Sequence, residues 1–371
     1  PLVHLGATSV DILDTAQALR IRGAVERVIL PVMLDIEERL VELTKSHAGT
    51  LQIGRTHGQH AVPITFGFAL SEYVARLGKC IEQIHTRARD LRGKLSGAVG
   101  AYNSMSMIVS DPVTLERECL GELDIAPGDH ATQMVEPEYL LRLLLEINVA
   151  FGILANLADD LRNLQRSEID EVREFFTTDQ VGSSTMPQKR NPWNSEHVKS
   201  LWKAFAPRAM TFFMDQISEH QRDLTNSASG RFVTDYLAGF TAASARMRSI
   251  LANLSVNEER MRENVVLTGD MPLAEAAYSL LATTGRPDAH EDIRKATLEA
   301  QARGESLLAV LKREPQLWDA LELALGSVSE LPPDAYFKSA ESYTGRAALV
   351  AERIATDFRE RMRTIREALN K

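Results

Sequence analysis

The stretch from Glu138 to Arg166 constrains the fold of this chain more than any other. Leu140, Leu144, Ile147, Phe151, Leu154, Ala158 and Leu161 follow a 4,3,4,3 alternation, which is a heptad seam. Leu143, Ala150, Leu157 and Leu164 add a second apolar row on another face. A helix that is apolar on more than one face has to be covered on more than one side. The expectation is the middle of a multi-helix bundle, and a bundle of this kind can be shared between copies of the chain.

Further helical spacing surrounds it. Leu70, Val74, Leu77, Ile81, Ile84, Ala88 and Leu91 predict a helix from Gly67 to about Leu91. Another runs from Asp11 to Lys45, with Pro31 expected to bend it or to start its second half. Helical patterns return over 194–218, 234–253, 288–303 and 344–370. No run alternates convincingly as a strand, although 62–66 and 105–109 are short enough to be extended or to form a small hairpin. The fold class expected is all-α, a long-helix bundle with a central helical domain and a smaller helical C-terminal domain. A polar stretch at Asn253–Asn257 marks the boundary, so 9–253 forms the bundle and 254–371 the second domain.

Composition narrows the function classes. With 371 residues, a net charge of −9 and 25% charged residues, the chain reads as an ordinary globular protein and a poor general nucleic-acid binder. No uninterrupted apolar run reaches the roughly 18 residues of a membrane span. Cys80 and Cys119 are the only cysteines and lack metal-type spacing, which points to a reducing, cytoplasmic setting.

The chemistry lies in loops rich in Gly, Pro, Ser and Asn that interrupt long helices, at 1–10, 53–66, 96–106, 126–137, 177–195 and 219–232. Residues 182–192 read Gly-Ser-Ser-Thr-Met-Pro-Gln-Lys-Arg-Asn-Pro, where Ser183 and Ser184 are donors and Lys189 and Asn191 suit an anionic oxygen. Residues 54–60 pack Arg55, His57, Gln59 and His60 into one short turn, and histidine is the natural acid or base near neutral pH. Thr8 and Ser9 stand just before a helix, where hydroxyls and free backbone N–H groups cradle anions. Arg222, Ser227 and Arg231 suit a phosphate or carboxylate. Each segment has an ordinary reading too: a polar connection, local histidine hydrogen bonds, plain N-capping, a surface salt-bridge loop. Together they share one chemistry. With no metal spacing, P-loop, dinucleotide fingerprint or nucleophile elbow in the sequence, they point to a cofactor-independent site for a multiply anionic small molecule.

The 182–192 run resembles the signature loop of the fumarase/aspartase superfamily. His4, Thr8-Ser9, Asp11, Asp14 and Ala16, the turn from Arg55 to His60, Thr132-Gln133 with Glu136-Pro137, and 221–227 resemble its adenylosuccinate lyase branch. Residues 285–291 and 343–347 do so as well. The resemblance implies a homotetramer built on a central helical bundle, with active sites shared between subunits. It implies β-elimination of fumarate from a succinylated purine nucleotide, with no cofactor. It makes Ser184 the general base and His57 the general acid. Thr8, Ser9, Thr56, Gln133, Ser183, Lys189 and Asn191 would contact the succinyl part, and His4, Arg222, Ser227 and Arg231 the nucleotide and its phosphate. A serine is a weak base unless its surroundings are dry and rich in donors, so loop closure belongs to the expected chemistry. Two departures stand out: Gln188 replaces a histidine common in the signature loop, and Gly230 precedes Arg231 where many relatives carry a bulkier residue. The chain opens at Pro1, and the resemblance implies an N-terminal domain of roughly one hundred residues ahead of it. Two further readings remain at this stage. One is a sister lyase or cycloisomerase acting on argininosuccinate or a carboxymuconate. The other is a catalytically idle helical scaffold.

Overall fold

A computed structural model describes residues 3–176 and 185–370. Helix α1 (Ser9–Ala24) leads through a π-helical turn, Val25–Ile29, into α2 (Leu30–Ser46). The wide turn has a local cause. Pro31 has no N–H, so the i→i−4 ladder cannot continue past it unaltered. Leu30 donates back to the Val25 carbonyl instead, and the rod stays continuous. Strands β1 (Leu51–Thr56) and β2 (Gln59–Thr65) form an antiparallel hairpin that feeds α3 (Phe66–Arg89). Helix α4 (Glu138–Leu164) is followed by α5 (Trp193–Phe205) and α6 (Phe232–Ala252). Pro207 stops α5 before a short helix, Arg208–Met214.

Helix α4 is long and apolar enough to cross a membrane by composition alone. Its apolar rows are covered by protein instead. Ile147, Ala150, Phe151, Leu154 and Ala158 are fully buried, against α3, α5 and α6. Phe151 meets Phe240 of α6 edge-on, with ring centroids 5.3 Å apart. Burying a side chain of this size contributes roughly 1.5–3 kcal/mol, so α4 is the axle of the main core.

A second apolar cluster gathers residues between Leu273 and Phe337, from α7 (Ala274–Thr283), α8 (Ala289–Arg303), α9 (Leu307–Lys312) and α10 (Pro315–Leu325). The last helix, α11 (Ala347–Leu369), returns to α2 and α3, where Ala355, Phe358, Met362 and Ile365 join the main core.

The extended structure differs from the sequence expectation in two places. Residues 105–109 are not a strand: Met105–Met107 is a 3-10 turn, with Met105 buried beneath Gly6. The partner of β2 is Leu51–Thr56, which carries no alternating signal. Its Gln52 is buried because its amide donates to Glu171, 119 residues away. Gly54 sits where the hairpin register shifts, and a Cβ there would lie 2.9 Å from the Val62 carbonyl oxygen.

Glu37 of α2 is fully buried, and neither carboxylate oxygen has a hydrogen-bond partner among the described residues. Burial pushes its carboxyl well above the ordinary 4.5, with Arg361 opposing and Glu82 adding to the shift. The folded state therefore favours the protonated form. That stability is complete below the unfolded pKa and is lost as pH rises through the folded value. A Glu37→Gln variant cannot ionise, so its melting temperature should gain on the parent between pH 5 and pH 8, which parallel thermal melts would read.

Candidate active site

The start of α1 is held by a buried carboxylate. Asp11 occupies the third helical position and accepts the Thr8 N–H at 2.7 Å, closing the first turn. Its other partners come from the segment after α3: the Lys94 ammonium, the Ser96 N–H at 3.2 Å and the Gly97 N–H at 3.2 Å. The side chains of Asp11 and Lys94 are 0% and 1% exposed, so this ion pair sits out of water. Lys94 also donates to the Gly97 carbonyl at 3.1 Å, and its N–H reaches the Thr15 hydroxyl at 3.0 Å. The pair thus locks the 94–97 segment onto the helix start that carries Thr8 and Ser9.

A third segment closes on the same place. The Val135 N–H donates to Asp14 at 3.0 Å. Gln133 is joined to the 221–222 segment twice: its N–H donates to the Gln221 carbonyl at 3.3 Å, and its side-chain oxygen accepts from Arg222 at 3.2 Å. The fit is close, since a Cβ on Gly100 would lie 1.9 Å from the Ala131 carbonyl oxygen. Burial raises the Asp14 carboxyl, and the Val135 N–H, Lys94 and Arg222 oppose it. His4, Ser9, Ser227 and Arg231 are exposed, and Thr8 is half-buried. Ser229 and Asn226 bond Asp215 and hold the turn that presents Arg231.

The second group of site residues lies at the hairpin. His57 and Gly58 have φ of +54° and +74°, the two positive values of a type I′ turn, so the tip is a two-residue loop. Thr56 and His57 are exposed there. Below the tip, Arg55 makes a two-pronged pair with Glu171, at 2.5 and 3.2 Å. His60 opposite it is held below the ordinary histidine range, first by burial and then by the Arg55 charge. Lys189 is exposed and Asn191 half-buried. Gln165 at the end of α4 donates to the Arg190 carbonyl at 3.3 Å, and Glu174 accepts the Asn194 and Ser195 N–H groups at the start of α5. Ser183 and Ser184 lie outside the described residues.

The two groups do not meet within one chain. Gln133 precedes α4 and the Gln165–Arg190 contact follows it, with 27 helical residues between, about 40 Å of axial rise. Helix α3 gives the same answer: its start follows the hairpin, and its end leads to Lys94. Sequence reasoning named the residues at both ends but missed Lys94, Glu171, Gln52 and Asn264. Asp11 and Asp14 stood inside a quoted motif, yet nothing local signals their partners.

Comparison with known proteins agrees with this architecture. The family profile described as Lyase matches residues 2–203, and that described as Adenylosuccinate lyase C-terminal matches 218–336. Adenylosuccinate lyase of Pyrococcus horikoshii is 33% identical over 356 residues, covering 95% of this chain and 76% of the relative. The enzyme of the same name from Pyrococcus abyssi is 32% identical, covering 96% of this chain and 78% of the relative. The chain belongs to the adenylosuccinate lyase family. Among solved structures, the 3-carboxy-cis,cis-muconate lactonizing enzyme of Pseudomonas putida superimposes with a TM-score of 0.81 at 26% identity, covering 96% of this chain and 77% of that one. Among the described residues of this lyase, no cluster of histidine, cysteine, aspartate and glutamate is arranged to hold a metal ion.

An Asp11→Asn substitution leaves Lys94 charged and buried without its counter-charge. It should cost the lyase about 3–5 kcal/mol. Denaturant titration of the parent and the variant would measure the loss.

Proposed function

We propose that this lyase removes fumarate from adenylosuccinate, giving AMP, and from the succinylated aminoimidazole carboxamide ribotide of purine synthesis. The observation that carries the substrate class is the Gln133–Arg222 contact. With the Val135–Asp14 bond beside it, this contact ties the segment that carries Arg222, Ser227 and Arg231 to helix α1, which Thr8 and Ser9 open. A dicarboxylate needs the helix start. A phosphate gives the arginines a use, which a phosphate-free polycarboxylate does not.

The reaction takes a proton from the carbon next to a carboxylate and breaks the neighbouring carbon–nitrogen bond. Ser184 would remove that proton. The electron pair left behind forms the fumarate double bond as the bond to nitrogen breaks, and His57 would protonate the leaving nitrogen. Negative charge builds on the carboxylate in between, and fixed donors aimed at developing charge are usually the largest catalytic contribution. Lys189 and Asn191 would supply them, with Thr8, Ser9 and Gln133, while Thr56 and Ser183 flank the succinyl group. His4 would lie near the nucleotide.

Because the cradle and the hairpin stand at opposite ends of α4, a working site would take its parts from more than one copy of the chain. A homotetramer with shared sites meets that need, and this reading follows from the roughly 40 Å separation.

Fumarate release should be robust with adenylosuccinate and far weaker with argininosuccinate in a side-by-side absorbance assay. The reverse preference would favour the sister-lyase reading. Ser184→Ala and His57→Ala should each cut kcat by about 10²–10⁴-fold. A site built from several copies adds a sharper expectation. Co-expressing a His57→Ala chain with an Arg231→Ala chain should return part of the activity that neither homo-oligomer has, since some mixed sites draw only intact parts. A mixture as inactive as its components would reject the shared site.

A further inference from the structure

We infer that Glu171 is a positioning residue that holds the His57 hairpin in its working place. The inference rests on the reading of His57 as the acid. The Glu171 side chain is fully buried and takes four hydrogen bonds from two directions. Three come from β1: Arg55 at 2.5 and 3.2 Å and Gln52 at 2.8 Å. The fourth comes from Asn264, at 2.9 Å, on the Glu258–Val266 helix that packs against β1. The backbone of Glu171 is fixed as well, donating to Leu164 at the end of α4 and accepting from Asn257, both at 2.9 Å. Hairpin, α4 and the C-terminal part of the chain are thus tied to one carboxylate.

A two-stranded hairpin is marginally stable by itself. This one has a small apolar footing: Leu51, Ile53 and Val265 form a cluster with Ala340 packed against it. That footing lies at the base of β1. Toward the tip the strand carries Gly54, Arg55 and Thr56, which offer no apolar anchor, and the register shifts between Ile53 and Arg55. Arg55 stands two residues from His57, and its fork is the last buried anchor on β1 before the exposed tip. A two-pronged arginine–carboxylate pair fixes orientation as well as distance. Small errors in placement are expensive, since a 1 Å displacement can cost on the order of 100-fold in rate.

Loss of the carboxylate should therefore strike the chemical step more than binding, because Arg222 and the nucleotide-side segment of the same chain sit at the other end of α4. In Glu171→Gln, kcat for fumarate release should fall about 10–100-fold, with KM within about threefold of the parent. Hydrogen exchange read by mass spectrometry should quicken over residues 51–65 and stay unchanged over α4. Asn264→Ala removes one neutral donor and leaves the ion pair, so kcat should stay within about threefold of the parent even where the melting temperature drops. Should Glu171→Gln fail to fold, Glu171→Asp serves in its place. It keeps the charge with a shorter reach, and a kcat below the parent with KM unchanged is expected.

A folded Glu171 variant with parental kcat, or with parental exchange over the hairpin, overturns the inference. So does an Asn264→Ala variant whose kcat falls as far as that of Glu171→Gln, because the network would then be merely structural. Normal turnover in His57→Ala would instead defeat the reading of His57 itself, leaving the hairpin result to be judged by exchange alone.

Discussion

A largely buried helix of 27 residues sets the scale on which everything else in this lyase is arranged. Helix α4 is covered on several sides, so it can neither bend toward one end nor shorten without opening its core. Close-packed interiors resist such change. The loops at its two ends are held apart by a distance that no side-chain motion bridges. Chemistry that needs groups from both ends, as proposed above, would call for association. In the proposed reading the long helices are then more than a scaffold, because they would present one half of a site to a neighbouring copy and take the other half in return.

Each end is organised around a buried carboxylate. Asp11 gathers Lys94 and three backbone N–H groups at the cradle. Glu171 gathers Arg55, Gln52 and Asn264 at the hairpin. Taking such charges out of water costs free energy that the pairing only roughly offsets. Their use here lies in definition. Each carboxylate reaches segments far apart in sequence and permits one arrangement of them. Glu37 is the contrast: equally buried, without a hydrogen-bond partner among the described residues, and pushed toward its neutral form. It marks the spot where the core tolerates a polar group without organising anything around it.

The helices were legible because their signal is local. Leu144, Ile147 and Phe151 repeat at helical spacing whatever lies around them, and Pro31 announces a disturbed turn that the structure resolves as a π-helical widening. The first strand of the hairpin was not legible. Leu51–Thr56 reads as irregular because Gln52 faces inward, and it faces inward for the sake of a residue 119 positions away in sequence. The candidate residues show the same divide. Thr8, Gln133 and Arg222 drew attention by type and motif, and the structure brings them to one cradle. Lys94 looked like any lysine, since only the fold shows which carboxylate it meets. That Gln133 and the hairpin stand at opposite ends of α4, whose rise is about 40 Å, was likewise invisible, because it depends on which end each loop packs against.

The backbone at His57 carries a consequence of its own. The first position of a type I′ turn needs a positive φ, which glycine adopts at less steric cost than a histidine at φ +54°. The protein thus places a less comfortable amino acid at the corner where the proposed proton donor stands. Laboratory selection for heat tolerance alone, with turnover left unscored, would be drawn to replace this histidine early. The sturdier descendants would keep the hairpin and lose the proposed proton donor.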